Sequence, residues 1–371
     1  TVIGVPGLVR ANYTWETVTT LDFGFDLNMF NNRLNAVFDW YKRDTKDMLG
    51  PGLDFPDMFG ASAPQTNNAS MRNRGWELSL NYRGKIGSDI NYSIGGSLSD
   101  ATAEVTEYAN PTGTNPAGNW YEGRKVGEIW GYRASGIIQT QEEADEYNAK
   151  YNLSYLTGKA WEPGDVKYID LNGDNKIDRG DNNLKNMGDL TIIGNTTPRY
   201  QYTFNGSISY KDLSLSMMFQ GVAKRDWDPG TAPYFWGSGA YAQVTVFNEH
   251  MDYWREDNKD AYYPKPYIHS AGGVGPFRNK TMQTSDRYLQ SGAYCRLKNI
   301  TLSYNLPSTW VQKAGLQKVQ VFFSGENLLT FTSLKGMFDP EAIFTSNSYT
   351  GEGGKNYPMN KVVSFGLVVN L

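Results

Sequence analysis

The sequence predicts an all-β fold: a transmembrane antiparallel β-barrel, to which this chain contributes about nine strands. Three observations carry that reading. Apolar and polar residues alternate with a period of two along most of the chain. The alternating stretches run to about ten or eleven residues, close to what a tilted strand needs to cross a bilayer. Short turns and long connections alternate between them, as in barrels with short turns at the periplasmic end.

The strands read as follows. In TLDFGFDLNMF, Leu21, Phe23, Phe25, Leu27 and Met29 face one way, and Asp22, Gly24, Asp26 and Asn28 the other. Asn31-Asn32-Arg33 is the turn, and LNAVFDWYKRD returns with Leu34, Ala36, Phe38 and Trp40. WELSLNYRG offers Trp76, Leu78, Leu80 and Tyr82. A Gly/Ser/Asp turn leads to INYSIGGSLS, with Ile90, Tyr92, Ile94 and Leu98. YQYTFNGSISY sets Tyr200, Tyr202, Phe204, Gly206, Ile208 and Tyr210 against Gln201, Thr203, Asn205, Ser207 and Ser209. After Lys211-Asp212 the pattern restarts: Leu213, Leu215, Met217 and Phe219 against Ser214, Ser216 and Gln220. ITLSYNL, VQVFFSG and KVVSFGLVVNL complete the set. A strand points successive side chains to opposite faces, so each stretch has one greasy and one wet side.

The long connections fall near residues 46–68, 104–198, 222–292 and 332–358. The one after the seventh strand, PSTWVQKAGLQ, is short and has room for one helical turn. A soluble sandwich also alternates, but its strands average about five or six residues. Aromatics near strand ends (Phe30, Trp40, Tyr41, Tyr82, Tyr200, Tyr210, Tyr294, Tyr304) suit girdles at two interfaces. One stretch fits badly: in AYCRLKNITL the parity of Ile300 and Leu302 also places Arg296 and Lys298 on the greasy face. Either a bulge shifts the register or that end lies among charged headgroups. Nine strands are odd, and an open edge cannot face lipid, where unpaired backbone groups cost several kcal/mol each. The chain is therefore expected to be part of a larger barrel, with the missing strands upstream.

Composition removes other classes. With 371 residues and a net charge of −4, no basic excess points to nucleic acid. Mean hydropathy is −0.55, and no apolar run of about 18 residues suggests a spanning helix, a test that barrel strands escape. Cys295 is the only cysteine and His250 and His269 the only histidines, which leaves no internal disulfide and little for a zinc centre. The N-terminal TVIGVPGLVRANYTWE lacks the charged and apolar regions of a signal peptide. No nucleophile–base set or phosphate-cradling glycine motif appears, and Glu142-Glu143 and Asp257–Asp260 sit on polar runs expected to face solvent. No enzyme activity is expected.

One stretch has the spacing of a calcium loop. DLNGDNKIDRGD places Asp170, Asn172, Asp174, Lys176 (through its carbonyl), Asp178 and Asp181 at positions one, three, five, seven, nine and twelve. Ile177 at position eight is expected to pack inward. Two departures stand out: Asn175 replaces the usual glycine at position six, and Asp181 is shorter than the usual glutamate. VKYID before the loop reads as extended rather than helical. Without metal, the stretch is an Asx-rich turn that satisfies its own backbone. With metal, hard oxygens on a flexible loop favour Ca2+ in a structural role.

Longer motifs resemble a known family. GEIWGYRASGIIQTQEEADEY, PGDVKYIDLNGDNKID, TPRYQYTFNGSISYKDLSLSMMFQGV and YCRLKNITLSYNLP, in this order, resemble the C-terminal half of SusC/RagA-type TonB-dependent transporters of the Bacteroidota outer membrane. VFFSGENLLTFT resembles that family's penultimate strand, and NNRLNAVFDWYKRDTKDML an earlier hairpin. The resemblance implies a barrel of about 22 strands with a plug domain upstream of this chain. These would be the last nine strands. It further implies a SusD-like surface lipoprotein as lid, energy from the TonB complex, an outer-membrane location, and dimers of the transporter–lid pair.

The expected function is import of a large nutrient, an oligosaccharide first and a peptide second. Asn91, Gln201, Asn205 and Ser207 would keep the bore wet. Trp120, Tyr121, Trp130, Trp227, Tyr234, Phe235, Trp236 and Trp254 lie in long loops; they would stack on substrate or lid, or else pack the loops against each other. The alternative is a secreted or surface calcium-stabilised β protein that binds carbohydrate or a scaffold. A single loop without following helices departs from the dockerin pattern that this alternative would use.

Overall fold

A computed structural model describes residues 13–50, 64–110, 113–230, 232–236, 247–266, 280–343 and 357–370. Most of the N-terminal stretch read against a signal peptide, His269 and parts of the long connections lie outside them. In chain order the elements are β1 (Thr17–Met29), β2 (Leu34–Gly50), β3 (Thr66–Ile86), β4 (Ile90–Tyr108), β5 (Glu128–Tyr132), β6 (Ala134–Ile137), α1 (Gln141–Lys150), β7 (Val166–Tyr168) and β8 (Leu190–Asn195). Then follow β9 (Arg199–Tyr210), β10 (Leu213–Lys224), β11 (Asp226–Trp227), β12 (Gln290–Ser291), β13 (Tyr294–Asn305), β14 (Lys318–Thr332) and β15 (Val362–Asn370).

Nine of these strands form a single antiparallel sheet in the order β1-β2-β3-β4-β9-β10-β13-β14-β15. Every neighbour in that order is also the next sheet strand along the chain, so the sheet is a meander. The turns fall where the sequence placed them. Phe30, Asn31 and Asn32 take positive φ between β1 and β2, as does Gly87 between β3 and β4, and Lys211 between β9 and β10. The segment between β13 and β14 holds a helical turn at Ser308–Val311 and a 3-10 turn at Gln312–Ala314. Gly315 closes it at φ 75°. β3 and β4, at 21 and 19 residues, are longer than the alternation suggested. The half of β4 toward the long connection carries Asp100, Glu104 and Glu107.

The greasy face is bare among the described residues. On interior strands Phe204, Ile208, Leu302 and Phe323 remain 44–48% exposed. In a sandwich those side chains would be interleaved with a second sheet. The other three sheets have only two strands each, β5-β8, β6-β7 and β11-β12, and all sit in the long connections. The apolar surface left open here is what a lipid-facing wall requires.

The misfit at Arg296 resolves as a bulge. The pairing of β13 shifts between Leu297 and Asn299 against β14, and between Met218 and Phe219 on β10. Lys298 is the extra residue, and parity flips across it. Ile300 and Leu302 stay on the greasy side, while Arg296 pairs with Gln220 and Thr330 on the wet side. Two members of the expected girdle are corrected. Tyr41 is opposite Asp22 and lies over Gly75, on the wet face. Tyr294 is 9% exposed, covered by loops rather than facing lipid.

The buried core lies in the connections. A cluster including Tyr132, Trp161, Tyr168, Ile177, Trp227, Phe235, Tyr263, Tyr288, Leu334 and Phe338 draws on the β4–β9, β10–β13 and β14–β15 connections. These three long loops share one apolar interior and form a platform at one end of the sheet.

Candidate functional site

The wet face is built by register. One row runs across six strands as Ser93, Ser207, Ser216, Thr301, Ser324 and Ser364. Each hydroxyl both donates and accepts, so neighbours can satisfy one another and still offer a lone pair to water. The Ser93 and Ser207 oxygens are 3.1 Å apart, and those of Ser97 and Thr203 are 2.7 Å apart. The next row up carries Asn28, Asn35, Asn81 and Asn205, with Asn35 Nδ2 donating to Asn28 Oδ1 at 2.9 Å. Asn91, Gln201, Asn205 and Ser207 all take the wet side.

At the platform end the wall meets the loops through charge. Arg296 donates from Nη2 to both Asp339 oxygens at 2.8 Å and from Nε to Thr330 Oγ1 at 2.9 Å. Glu341 bridges Arg296 at 3.2 Å and Lys298 at 3.0 Å. Burial pushes the Asp339 carboxyl upward. N–H groups of Glu341 and Met359 and the Arg296 charge outweigh it, so the net shift is below the ordinary aspartate value. Lys335 places its ammonium 3.6 Å from the centre of the Tyr262 ring, and burial lowers its pKa.

The predicted contact aromatics divide. Trp227, Trp236 and Trp254 are at most 7% exposed and Phe235 is fully buried. The indole of Trp236 donates to Gly230 O at 2.7 Å and that of Trp254 to Gln139 Oε1 at 3.0 Å. In this arrangement they offer no open face for stacking. Their role is to pack the loops, because an indole whose N–H is satisfied is worth most when its rings leave water. Trp120, Tyr121 and Trp130 are half-buried. Trp120 meets Tyr108 edge-on, and Tyr121 meets Trp130 the same way while donating to Glu128 at 2.6 Å. Tyr234 is 40% exposed and stacks on Phe247.

The loop at Asp170–Asp181 closes on itself through Asx turns. Asn175 adopts φ 59°, the left-handed state the usual glycine would take, and Ile177 is fully buried. Asp170 accepts from the N–H groups of Gly173 and Asn175, Asn172 from Asp174, Asp174 from Lys176, and Asp178 from Gly180. Asp181 accepts from Asn186. Among the described residues no three acidic, His or Cys side chains converge as a metal cluster. A residue the spacing did not single out holds the loop. Asp189 is fully buried and accepts from Leu171 N at 2.7 Å and Asp178 N at 2.9 Å, tying both ends of the coil. Burial raises its pKa. Helix α1 was also unforeseen, although TQEE carries its start signal: Thr140 caps Glu143 N, and the Glu143 carboxylate accepts from Gln139 N.

Comparison with known proteins places this geometry. The family described as TonB dependent receptor-like, beta-barrel matches residues 3–328. The chain belongs to that family. TonB-dependent receptor P3 of Formosa agariphila is 30% identical over 375 residues, covering 96% of this chain and 34% of that protein. TonB-dependent receptor SusC of Bacteroides thetaiotaomicron is 22% identical over 340 residues, covering 91% and 30%. Among solved structures, that of the RagAB peptide transporter aligns with a TM-score of 0.66 at 24% identity, covering 96% of this chain and 36% of that one. The chain spans about a third of the length of the curated relatives it matches. As a member of this family it is part of an outer-membrane β-barrel.

Proposed function

We propose that this chain forms part of the wall and the loop platform of a TonB-dependent importer for a large nutrient, an oligosaccharide first and a peptide second. The observation that carries the reading is the two-sided sheet: a bare greasy face and a hydroxyl-rich wet face on the same strands. β1 and β15 are the sheet's two edges. In a bilayer they would be completed by further strands, because lipid cannot satisfy a strand's open N–H and C=O groups. A plug, and through it the TonB complex, would belong to the remainder of a barrel of about 22 strands. The platform's outer surface would receive a SusD-like lipoprotein, and such pairs would associate as dimers. Deleting the gene and measuring growth and labelled-nutrient uptake tests the reading. Loss of growth on one oligosaccharide or peptide class is expected; unchanged uptake of every class tried would overturn it.

A calcium ion at the acidic coil belongs to the same proposal. Asp170, Asn172, Asp174, Lys176 through its carbonyl, Asp178 and Asp181 would hold it, and the donors are the hard oxygens that suit Ca2+. The exposed coil has the left-handed position and the inward Ile177 that such a loop uses. Binding requires the outer carboxylates to turn toward Asp170. The ion would stiffen the platform, not take part in transport.

A further inference from the structure

On the greasy face of β2, β3 and β4, charge begins at one height. Between the short turns and the level of Trp40 and Trp76, the greasy-side positions of these strands carry no charged residue. The two indoles are directly opposite each other and mark the upper girdle, where lipid tails give way to headgroups. Level with them, Asp100 is opposite Trp76 and is held by Arg199. The next row up sets Lys42 against Arg74 and Arg74 against Thr102. The row above that carries Asp44, Arg72 and Glu104, with Lys125 opposite Glu104 from the connection that follows β4. The cations of these two rows, Lys42, Arg72, Arg74 and Lys125, thus outnumber the carboxylates, Asp44 and Glu104. Asp44 bridges Lys42 at 3.2 Å and Arg72 at 2.5 Å, and Arg74, which neighbours both, is exposed. Thr102 also lines a crevice of about 450 Å³ whose charged groups are Lys125, Glu128, Arg199, Lys224 and Asp226. Its two carboxylates are already used: Glu128 accepts from Lys125 N and Tyr121 Oη, and Asp226 from Asn195 N. This surface is turned away from the bore. A plug cannot reach it, and further strands would join beside β1 and β15, not over β3 and β4.

We propose that Lys42, Arg74 and Thr102 form a docking site for the phosphorylated headgroup of an outer-leaflet lipid, with the crevice beside Thr102 taking the rest of the headgroup. Charge and height together select this occupant. Successive same-face residues on a strand rise about 7 Å along it, so a cation one step beyond the girdle stands at the depth of headgroup phosphates. A guanidinium fork matches phosphate in geometry as well as charge, a lysine adds a point charge, and basic clusters at this depth recognise anionic lipids. The acyl chains of the same molecule would lie on the greasy band directly below, where Phe38, Leu78 and Leu98 form one row. The proposal rests on the chain being part of an outer-membrane barrel, not on what that barrel imports.

The test uses the full-length receptor, stripped of lipid in a neutral detergent and followed by native mass spectrometry. Three probes are titrated: monophosphoryl lipid A, the same lipid with its phosphate removed, and inorganic phosphate. At low salt the phosphorylated lipid should bind about tenfold tighter than the dephosphorylated one, and the advantage should fall as salt rises. Inorganic phosphate should compete only weakly, because it lacks the chains that lie on the greasy band. The double variant Lys42→Gln, Arg74→Gln should erase the advantage. Lys150→Gln, on helix α1 in the platform, should leave it intact. If the double variant fails to assemble, Arg74→Gln alone should weaken binding of the phosphorylated lipid several-fold. No preference for the phosphorylated lipid, competition by inorganic phosphate as strong as by the lipid, or a preference that survives the substitutions overturns the proposal. Growth assays on the deletion strain read the import function separately.

Discussion

Arg296 and Asp339 form a bidentate pair at 2.8 Å with side chains only 3% and 6% exposed. This contact fastens the last long loop to the barrel wall, and it exists because the bulge at Lys298 turns Arg296 to the wet side. Removing one partner strands the other charge away from water. Arg296→Met should therefore cost about 3–5 kcal/mol. Adding Asp339→Leu should recover most of that loss. Urea midpoints of the full-length protein, followed by tryptophan fluorescence, check both.

The same pair sets an acid limit. The Asp339 pKa is lowered in the fold, so its contribution is complete above the ordinary value of 3.8 and is lost as pH falls through the lowered one. Asp189 acts in the opposite sense: its pKa is raised, so its contribution is complete below 3.8 and is lost as pH rises through the raised value. Loop protection from protease should drop in acid for the unaltered protein, and Asp339→Asn should flatten that limb. An acid limb unchanged in Asp339→Asn counts against the assignment.

Phe235 is fully buried between Trp227, Trp236, Tyr263 and Phe338. Phe235→Ala should cost the platform about 3–5 kcal/mol through the cavity it leaves. The wall does not depend on that ring. Loops should become protease-sensitive while the heat-modifiable mobility of the barrel on gels stays unchanged.

Adjacent residues on β9 test the two faces. Phe204 points to the greasy side and Asn205 to the wet side. Phe204→Lys should cost about 2–4 kcal/mol in a bilayer. Asn205→Lys should cost far less. Assembly yield in outer-membrane fractions distinguishes them, and equal yields would contradict the assignment of faces.

Calcium titration of the loop should show one site of roughly 0.1–1 mM, the range of extracellular modules. Asp170→Asn should abolish it. Heat without a site in the unaltered protein would leave the coil as an Asx-turn structure held by Asp189.

Much of the wall could be read from residues alone. Side-chain direction in a strand has a period of two whatever surrounds it, so faces, turns and the even layout of short and long connections are local properties. The positive φ of Asn175 and the burial of Ile177 follow likewise from spacing. Asp189 was not legible: it sits beyond the loop, and only the folded chain brings its carboxylate to Leu171 and Asp178. Which loop tryptophans are covered was not legible either, because composition reports how many indoles a loop carries, not whether another loop covers them.

The sequence by itself determined nine strands, their two faces and the turns between them, because each depends on neighbours one or two residues away. The tertiary structure alone decided where β13 slips register, which aromatics leave water, and which acid closes the coil. Those outcomes depend on pairing between segments far apart in the chain, and an extra residue in one strand shows only against the partner strand that it fails to match.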